Sequence, residues 1–120
     1  MVWEQTGLPE LVHRLRPDVL HSPHYTSPQF PGVPVTITLH DATFFSNPEA
    51  HSPLKRQFFQ KAVGRAVRRA DSLVVPSLAT RDETIRYVGG DPALFHVAYH
   101  GVDRSVFHPV DDEERRRVAR

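Results

Sequence analysis

A histidine and an aspartate stand side by side at the end of the most strand-like stretch of this sequence. The stretch 35–39 is rich in β-branched and apolar residues, which favours an extended strand, and His40 and Asp41 follow it directly. In a parallel α/β sheet, ligands bind in the crevice beyond the carboxyl ends of the strands. We therefore expect the His40 imidazole and the Asp41 carboxylate to lie at the mouth of a cleft.

Three further strand-like runs also lead into polar residues. They cover 18–21, 72–76 and 94–99, and their polar ends are His21, Ser77 and His100. The run 72–76 is apolar almost throughout, which is typical of a strand covered on both faces. Strands that alternate with crossover connections indicate a parallel sheet. The sequence therefore predicts an α/β fold, a Rossmann-like parallel sheet of about four strands with flanking helices, with these polar ends at one edge.

Helical patterns precede and connect these strands. A first helix is expected near the N-terminus, with Pro9 in its first turn. A second runs to about Arg69 from Ser52, whose hydroxyl is suited to an N-cap. A third is capped by Ser77 and ends at the glycine pair that begins with Gly89. These helices are expected to cover the sheet.

Composition excludes several classes of protein. With 120 residues, of which 39% are hydrophobic, the chain is long enough for one small folded domain. It has no cysteine, so disulfides, thiol nucleophiles and cysteine metal clusters are excluded. A net charge of +1 argues against a dedicated nucleic-acid binder. No apolar run is long enough to span a membrane and the first residues do not resemble a signal peptide, so a cytoplasmic location is expected.

Four groups of residues, taken in order, resemble glycosyltransferase family 4. They are 17–21, then 32–35 with 38–41, then 70–77 with 79–81, and finally 100–103 with 107–109. The resemblance extends over about residues 3–120. It implies the two-domain GT-B fold and the transfer of a sugar from a nucleotide-sugar donor to an acceptor with retention of configuration. It also implies no cofactor and no catalytic metal, with the acceptor a glycan, a lipid or a small molecule.

The resemblance further implies which part of such an enzyme these residues represent. Residues 1–104 would form a partial N-terminal, acceptor-side domain, and 105–120 the interdomain linker with the start of a truncated helix. Earlier strands with a glycine-rich loop and a C-terminal donor-binding domain would lie outside them. We therefore expect a fragment that is inactive on its own and whose first strand lies on an open sheet edge.

The resemblance assigns the catalytic role to His40, as a hydrogen-bond donor to a sugar hydroxyl or a phosphate oxygen of the donor. The alternative is a strand-end histidine bonded to the backbone. Asp41 would orient His40 or bind acceptor hydroxyls, and the alternative is an Asx turn that closes the loop.

Five other residues are expected to bind substrate. Tyr25 would line the acceptor pocket, the alternative being a surface loop residue. Ser77 and Arg81 would face phosphate or acceptor at a helix start, or else serve as a cap and a solvated side chain. His100 and Gly101 would border the cleft or act as a hinge, with Gly101 permitting a positive φ or a close approach to the donor.

The sequence raises two other ligands, a metal ion and a membrane, and two other functions. His21 and His24 have metal-ligand spacing, but no third ligand falls at the right distance in sequence, so no metal site is expected. The basic face of the helix at 52–69 would either contact anionic lipid at the inner membrane surface or be solvated. The alternatives to a glycosyltransferase are a non-catalytic half-domain that complements a separate donor-domain chain, and a Rossmann-like small-molecule binder.

Overall fold

A parallel sheet of four strands forms the centre of the protein in this computed structural model. The strands are β1 (Leu20–Ser22), β2 (Val35–Thr38), β3 (Ser72–Val75) and β4 (Phe95–Val97). They lie side by side in the order β1-β2-β3-β4, and each neighbouring pair is parallel. The α/β fold and the strand number predicted from the sequence are therefore confirmed.

The structure describes residues 2–107, 109–110 and 112–118. Of the linker and truncated helix predicted over 105–120, residues 108, 111 and 119–120 lie outside the described residues. Five α-helices are found in the described part of the chain, together with 3₁₀ turns at Pro48–Ala50 and Pro92–Leu94. The helices are α1 (Val2–Leu15), α2 (Thr43–Ser46), α3 (Pro53–Arg69), α4 (Leu78–Val88) and α5 (Asp112–Val118).

Helix α1 begins earlier than predicted, so the expectation that Pro9 lies in its first turn is wrong. Pro9 lies inside the helix, where it has no N–H to donate to the preceding turn. The earlier turns are held by tertiary contacts. The Gln5 amide nitrogen donates to the Ser27 carbonyl (3.1 Å), and the Thr26 hydroxyl donates to Glu4 (2.7 Å). These contacts join the first half of α1 to the loop that follows β1.

The ends of α3 and α4 follow the predicted boundaries but differ in their caps. The Ser52 side chain makes no capping hydrogen bond, so that predicted cap is wrong. Ser77 is an N-cap as predicted, because its Oγ accepts from the Thr80 backbone N–H at 3.1 Å. Helix α4 ends at Gly89, which has a φ of 86°.

The core lies on one face of the sheet. Ile37, Leu39 and Leu73 are buried there against Val63 and Val67 of α3. On β3 the residues alternate between half-buried and buried, so the prediction that this strand is covered on both faces is wrong for the described chain. A short apolar run looks the same in sequence whether one face or both are covered.

The opposite face of the sheet is polar and partly open. His21 and His96 are exposed on it, while Thr36, Thr38 and Val74 are half-buried. Within the described chain β1 pairs only with β2, and Val19 just before it is 52% exposed. The open edge predicted for the first strand is confirmed. None of the described helices has the length and apolar character needed to cross a bilayer.

Candidate functional site

The loop that follows β1 is fastened to the loop that follows β2 by three hydrogen bonds. His40 Nε2 lies 2.8 Å from the Pro23 carbonyl oxygen. The Tyr25 hydroxyl donates to Asp41 Oδ2 at 2.9 Å and accepts from the Asp41 backbone N–H at 3.1 Å. A carbonyl oxygen can only accept, so His40 carries a hydrogen on Nε2 and Nδ1 is left for other contacts. We call Pro23, Tyr25, His40, Asp41 and Thr43 the His40 site.

Asp41 is held by its neighbours as well as by Tyr25. Its Oδ1 accepts from the Thr43 backbone N–H at 2.9 Å and from the Thr43 hydroxyl at 2.6 Å. This is the Asx turn given above as the alternative to a binding role for Asp41, and it leads directly into α2. Partial burial raises the pKa of Asp41, but the hydrogen bonds from Thr43 and Tyr25 outweigh burial, and its pKa is lowered overall. Asp41 is therefore a carboxylate at neutral pH.

Tyr25 stands at the centre of an aromatic cluster. Its side chain is only 5% exposed, so the alternative of a surface loop residue is wrong. Its ring packs edge-on against Phe59 (5.4 Å between centroids), Phe44 (5.7 Å) and His40 (6.0 Å). Burial, followed by the hydrogen bond to Asp41 and its negative charge, raises the pKa of Tyr25 well above its usual range. The hydroxyl therefore remains protonated and continues to donate to Asp41.

Two residues of this network were missed in the sequence. His51 Nε2 lies 3.0 Å from Thr43 Oγ1. Because the Thr43 hydroxyl donates its one hydrogen to Asp41, His51 must donate to Thr43. The spacing of Asp41 and Thr43 is an Asx-turn signal that could have identified Thr43. No local signal connects His51 to Thr43, since they are joined by the fold of the α2 segment.

Ser77 and Arg81 lie after β3, the strand next to β2. The Ser77 Oγ is used as the cap of α4. Arg81 Nε bonds to Asp82 Oδ1 at 2.8 Å, with about a third of the Arg81 side chain exposed. These are the contacts expected of the structural alternatives, a cap and a solvated side chain. Substrate binding by Ser77 and Arg81 stays a prediction.

His100 and Gly101 follow β4 and are exposed. The described glycines with positive φ are Gly32, Gly89 and Gly90, so the expectation of a positive φ at Gly101 is wrong. A Cβ built on Gly101 would meet no heavy atom within 4 Å. The chain is therefore open here, and the binding role of both residues stays a prediction.

The parallel topology brings the three strand ends to one edge. Backbone hydrogen bonds of 2.9 Å continue the sheet from Leu39 to Val74 and from Ala98 to Val75. His40, Ser77 and His100 follow at that edge, although no hydrogen bond or ion pair joins them within the described chain. No group of three metal-ligating side chains occurs among the described residues. His21 is bonded to Thr38 through Nε2 at 2.9 Å.

Sequence comparison agrees with the resemblance found in the motifs. The family model of Glycosyltransferase Family 4 matches residues 1–106, which is most of the 120-residue chain. No match was found among curated proteins. The matched region contains the whole sheet and the His40 site. The chain therefore belongs to glycosyltransferase family 4.

Proposed function

We propose that these residues form the acceptor-side part of a retaining, metal-independent glycosyltransferase that takes its sugar from a nucleoside-diphosphate donor. The observation that carries the proposal is the position of His40 in a chain of this family. It is exposed at the carboxyl edge of the sheet, and its ring is oriented by the Pro23 carbonyl. Ligands of open α/β sheets bind at that edge.

The hydrogen bond between His40 and the Pro23 carbonyl determines which ring nitrogen is free to contact the sugar donor. When a glycosidic bond to a phosphate breaks, negative charge grows on the departing phosphate and positive charge on the sugar. With Nε2–H bonded to Pro23, a neutral His40 offers Nδ1 as an acceptor for a sugar hydroxyl. In the imidazolium form Nδ1–H donates instead and stabilises a phosphate oxygen. A ring already fixed in place needs no reorganisation as charge develops.

The contacts of Asp41 favour positioning over direct binding of the acceptor. Both of its carboxylate oxygens already accept hydrogen bonds, from Thr43 and from Tyr25. Asp41 therefore holds the backbone next to His40 and the ring of Tyr25 that packs against it. The remaining proposed binding residues of the same edge are Ser77, Arg81, His100 and Gly101.

The proposal assigns donor binding to a second domain, contributed by further residues of a longer protein or by a separate chain. On this proposal residues 1–120 do not turn over alone. The unpaired edge of β1 supports complementation by added strands. Exposed cations of α3, such as Lys61 and Arg65, support peripheral contact with anionic lipid at the cytoplasmic face of the membrane.

The test uses the longest protein encoded in frame with these residues, or these residues co-expressed with a donor domain encoded beside them. Release of nucleoside diphosphate from nucleotide-sugars is measured for the unchanged protein, for His40→Ala and for His96→Ala. His96 is a matched control because it is also an exposed histidine, in the middle of β4. We expect a loss of at least about 100-fold for His40→Ala and less than about threefold for His96→Ala.

The protein must keep its unfolding temperature for these rates to be compared. Near-normal turnover by a folded His40→Ala protein would remove His40 from the mechanism. Absence of any turnover with the donor domain present would contradict the glycosyltransferase assignment.

A further inference from the structure

A cavity of about 300 Å³ lies beside the His40 site, among α1, the loop after β1 and the middle of α3. Its volume is at the lower end of the range of about 300–1,000 Å³ that is typical of small-molecule sites. It is separate from the edge where His40 lies, although Tyr25 contributes to both. The cavity is lined mainly by Glu4, Gln5, Tyr25, Phe58, Lys61 and Arg65.

Two cations, Lys61 and Arg65, and one carboxylate, that of Glu4, line this cavity. Lys61 and Arg65 are one helical turn apart on α3, so their side chains lie on the same side of the helix and repel each other. Neither Lys61 nor Arg65 forms an ion pair with a carboxylate of the described residues. An anion between them would remove this repulsion.

The carboxylate that lines the cavity, that of Glu4, already accepts hydrogen bonds from two neutral donors. Glu4 Oε1 accepts from the Gln5 side-chain amide at 2.9 Å, and Glu4 Oε2 accepts from the Thr26 hydroxyl at 2.7 Å. The Gln5 side chain also accepts from the Gln29 backbone N–H at 2.9 Å. The side chains of Glu4 and Gln5 thus bond to each other and to the loop after β1. The Glu4 carboxylate is directed to that loop rather than to the two cations.

The apolar part of the lining lies mostly along the same helix as the cations. Phe58, Ala62 and Ala66 contribute one wall, and the buried ring of Tyr25 contributes another. Such a surface suits the carbon skeleton of a ligand whose charged group contacts Lys61 and Arg65. A phosphate fits two separate cations better than a carboxylate does, because it presents three oxygens that are not confined to one plane.

We propose that this cavity binds the phosphate group of a small organic phosphate, with Lys61 and Arg65 contacting the phosphate and the Phe58–Tyr25 side covering its carbon skeleton. The site is independent of the donor chemistry proposed for His40. A free phosphate ester and a lipid headgroup offer the same chemistry, and the experiment separates these two sources.

The experiment titrates the whole chain with glycerol 3-phosphate, inorganic phosphate and glycerol by calorimetry. We expect saturable binding of one glycerol 3-phosphate per chain, weaker binding of inorganic phosphate and none of glycerol. The double variant Lys61→Gln/Arg65→Gln is expected to weaken binding at least 10-fold. The matched control Lys55→Gln/Arg69→Gln removes two exposed cations of the same helix that do not line the cavity, and is expected to change binding less than twofold.

A second variant tests the cavity itself. Ala62→Leu fills space without changing charge and is expected to weaken glycerol 3-phosphate binding at least fivefold while the unfolding temperature stays within a few degrees. Unchanged binding by a folded Ala62→Leu protein would place the phosphate outside the cavity and overturn the proposal. Equal weakening by the two charge variants would also overturn it, since the attraction would then belong to the helix as a whole.

Vesicles distinguish the lipid source from the free one. Vesicles of phosphatidylglycerol and of phosphatidylcholine are sedimented with each variant. Binding to phosphatidylglycerol that is lost in Lys61→Gln/Arg65→Gln and kept in Lys55→Gln/Arg69→Gln identifies a lipid phosphate as the ligand. Saturable glycerol 3-phosphate binding without such vesicle binding identifies a free ester, and the absence of both overturns the proposal.

Discussion

The same short turn occurs after β2 and after β4, and the two copies differ only in what surrounds them. Asp41 Oδ1 accepts from the backbone N–H and the hydroxyl of Thr43 at 2.9 and 2.6 Å. Asp103 Oδ1 accepts from the backbone N–H and the hydroxyl of Ser105 at the same two distances. Asp41 also binds Tyr25 and is half-buried, whereas Asp103 is exposed.

This difference shows which part of the edge is rigid before any ligand arrives. At Asp103 the hydrogen bonds from Ser105 lower the pKa of an exposed carboxyl and join residues of the same turn. At Asp41 the hydrogen bonds from Thr43 and Tyr25 must also outweigh burial, which raises the pKa. The bonds between Asp41 and Tyr25 also fix the Tyr25 side chain and the backbone beside His40. The local motif shapes a turn, and only the tertiary contact converts it into a preorganised site.

The largest expected effect is that of removing the Asp41 carboxylate. Asp41→Ala leaves the Tyr25 hydroxyl and the Thr43 donors without their acceptor, so the free energy of unfolding is expected to fall by about 2 kcal/mol. Urea unfolding measures this. Asp103→Ala is the control, and a much smaller loss is expected because water replaces the lost acceptor. Equal losses in both variants would show that the turn alone, and not Tyr25, carries the effect.

A smaller loss is expected when only the Tyr25 hydroxyl is removed. Tyr25→Phe keeps the aromatic packing but takes one donor from Asp41 Oδ2 and one acceptor from the Asp41 N–H. The expected destabilisation is about 1 kcal/mol, measured in the same urea series. In the double variant with Asp41→Ala, Tyr25→Phe should add little to the loss in the free energy of unfolding, since the two side chains share one interaction. Full additivity would mean that the hydroxyl and the carboxylate act independently.

The pH dependence of stability sharpens the comparison further. The pKa of Asp41 is lower in the folded protein than in the unfolded chain, where it is about 4. The ionised carboxylate therefore stabilises the fold fully above that unfolded pKa. This stabilisation is lost as the pH falls through the pKa of the folded state. The advantage of the unchanged protein over Asp41→Asn should therefore be constant from pH 5 to 7 and shrink below about pH 4. A smaller change is expected for Asp103→Asn, because solvent screens that carboxylate. An advantage that grew on acidification would reverse the sign and contradict the assignment.

The smallest effect is expected at Gly101. Gly101→Ala meets no atom within 4 Å and requires no unusual φ, so its stability should stay within about 0.5 kcal/mol of the unchanged protein. Gly32→Ala is the comparison, because its φ of 76° makes a side chain cost about 1 kcal/mol even though space is free. Thermal unfolding of both variants measures the difference. A marked loss at Gly101 would show that the chain after β4 is more constrained than its contacts indicate.

The strands and most helix boundaries could be predicted because they depend on nearby residues. β-branched runs placed β2 and β3 within two residues, and Ser77 and Gly89 marked both ends of α4. The start of α1 could not be predicted, since it depends on bonds from Glu4 and Gln5 to a loop more than 20 residues away. Local propensity carries no information on such contacts.

The candidate site was predictable in its place but not in its connections. The end of β2 identified His40 and Asp41, and family resemblance supplied a role for His40. The partners of these residues, Pro23 and Tyr25, lie 16 to 17 positions earlier on a different strand end. His51 joined the network only through Thr43, whose hydroxyl lies between it and Asp41. Pairings of this kind arise from the parallel register of β1 and β2 and leave no periodic signal.

The order β1-β2-β3-β4 also has a consequence for synthesis on the ribosome. Each strand pairs with the one made just before it, so no strand has to wait for a distant segment before it can dock. The sheet can therefore grow by one strand at a time as the chain emerges, in the direction of translation. Its contact order stays low for a parallel sheet.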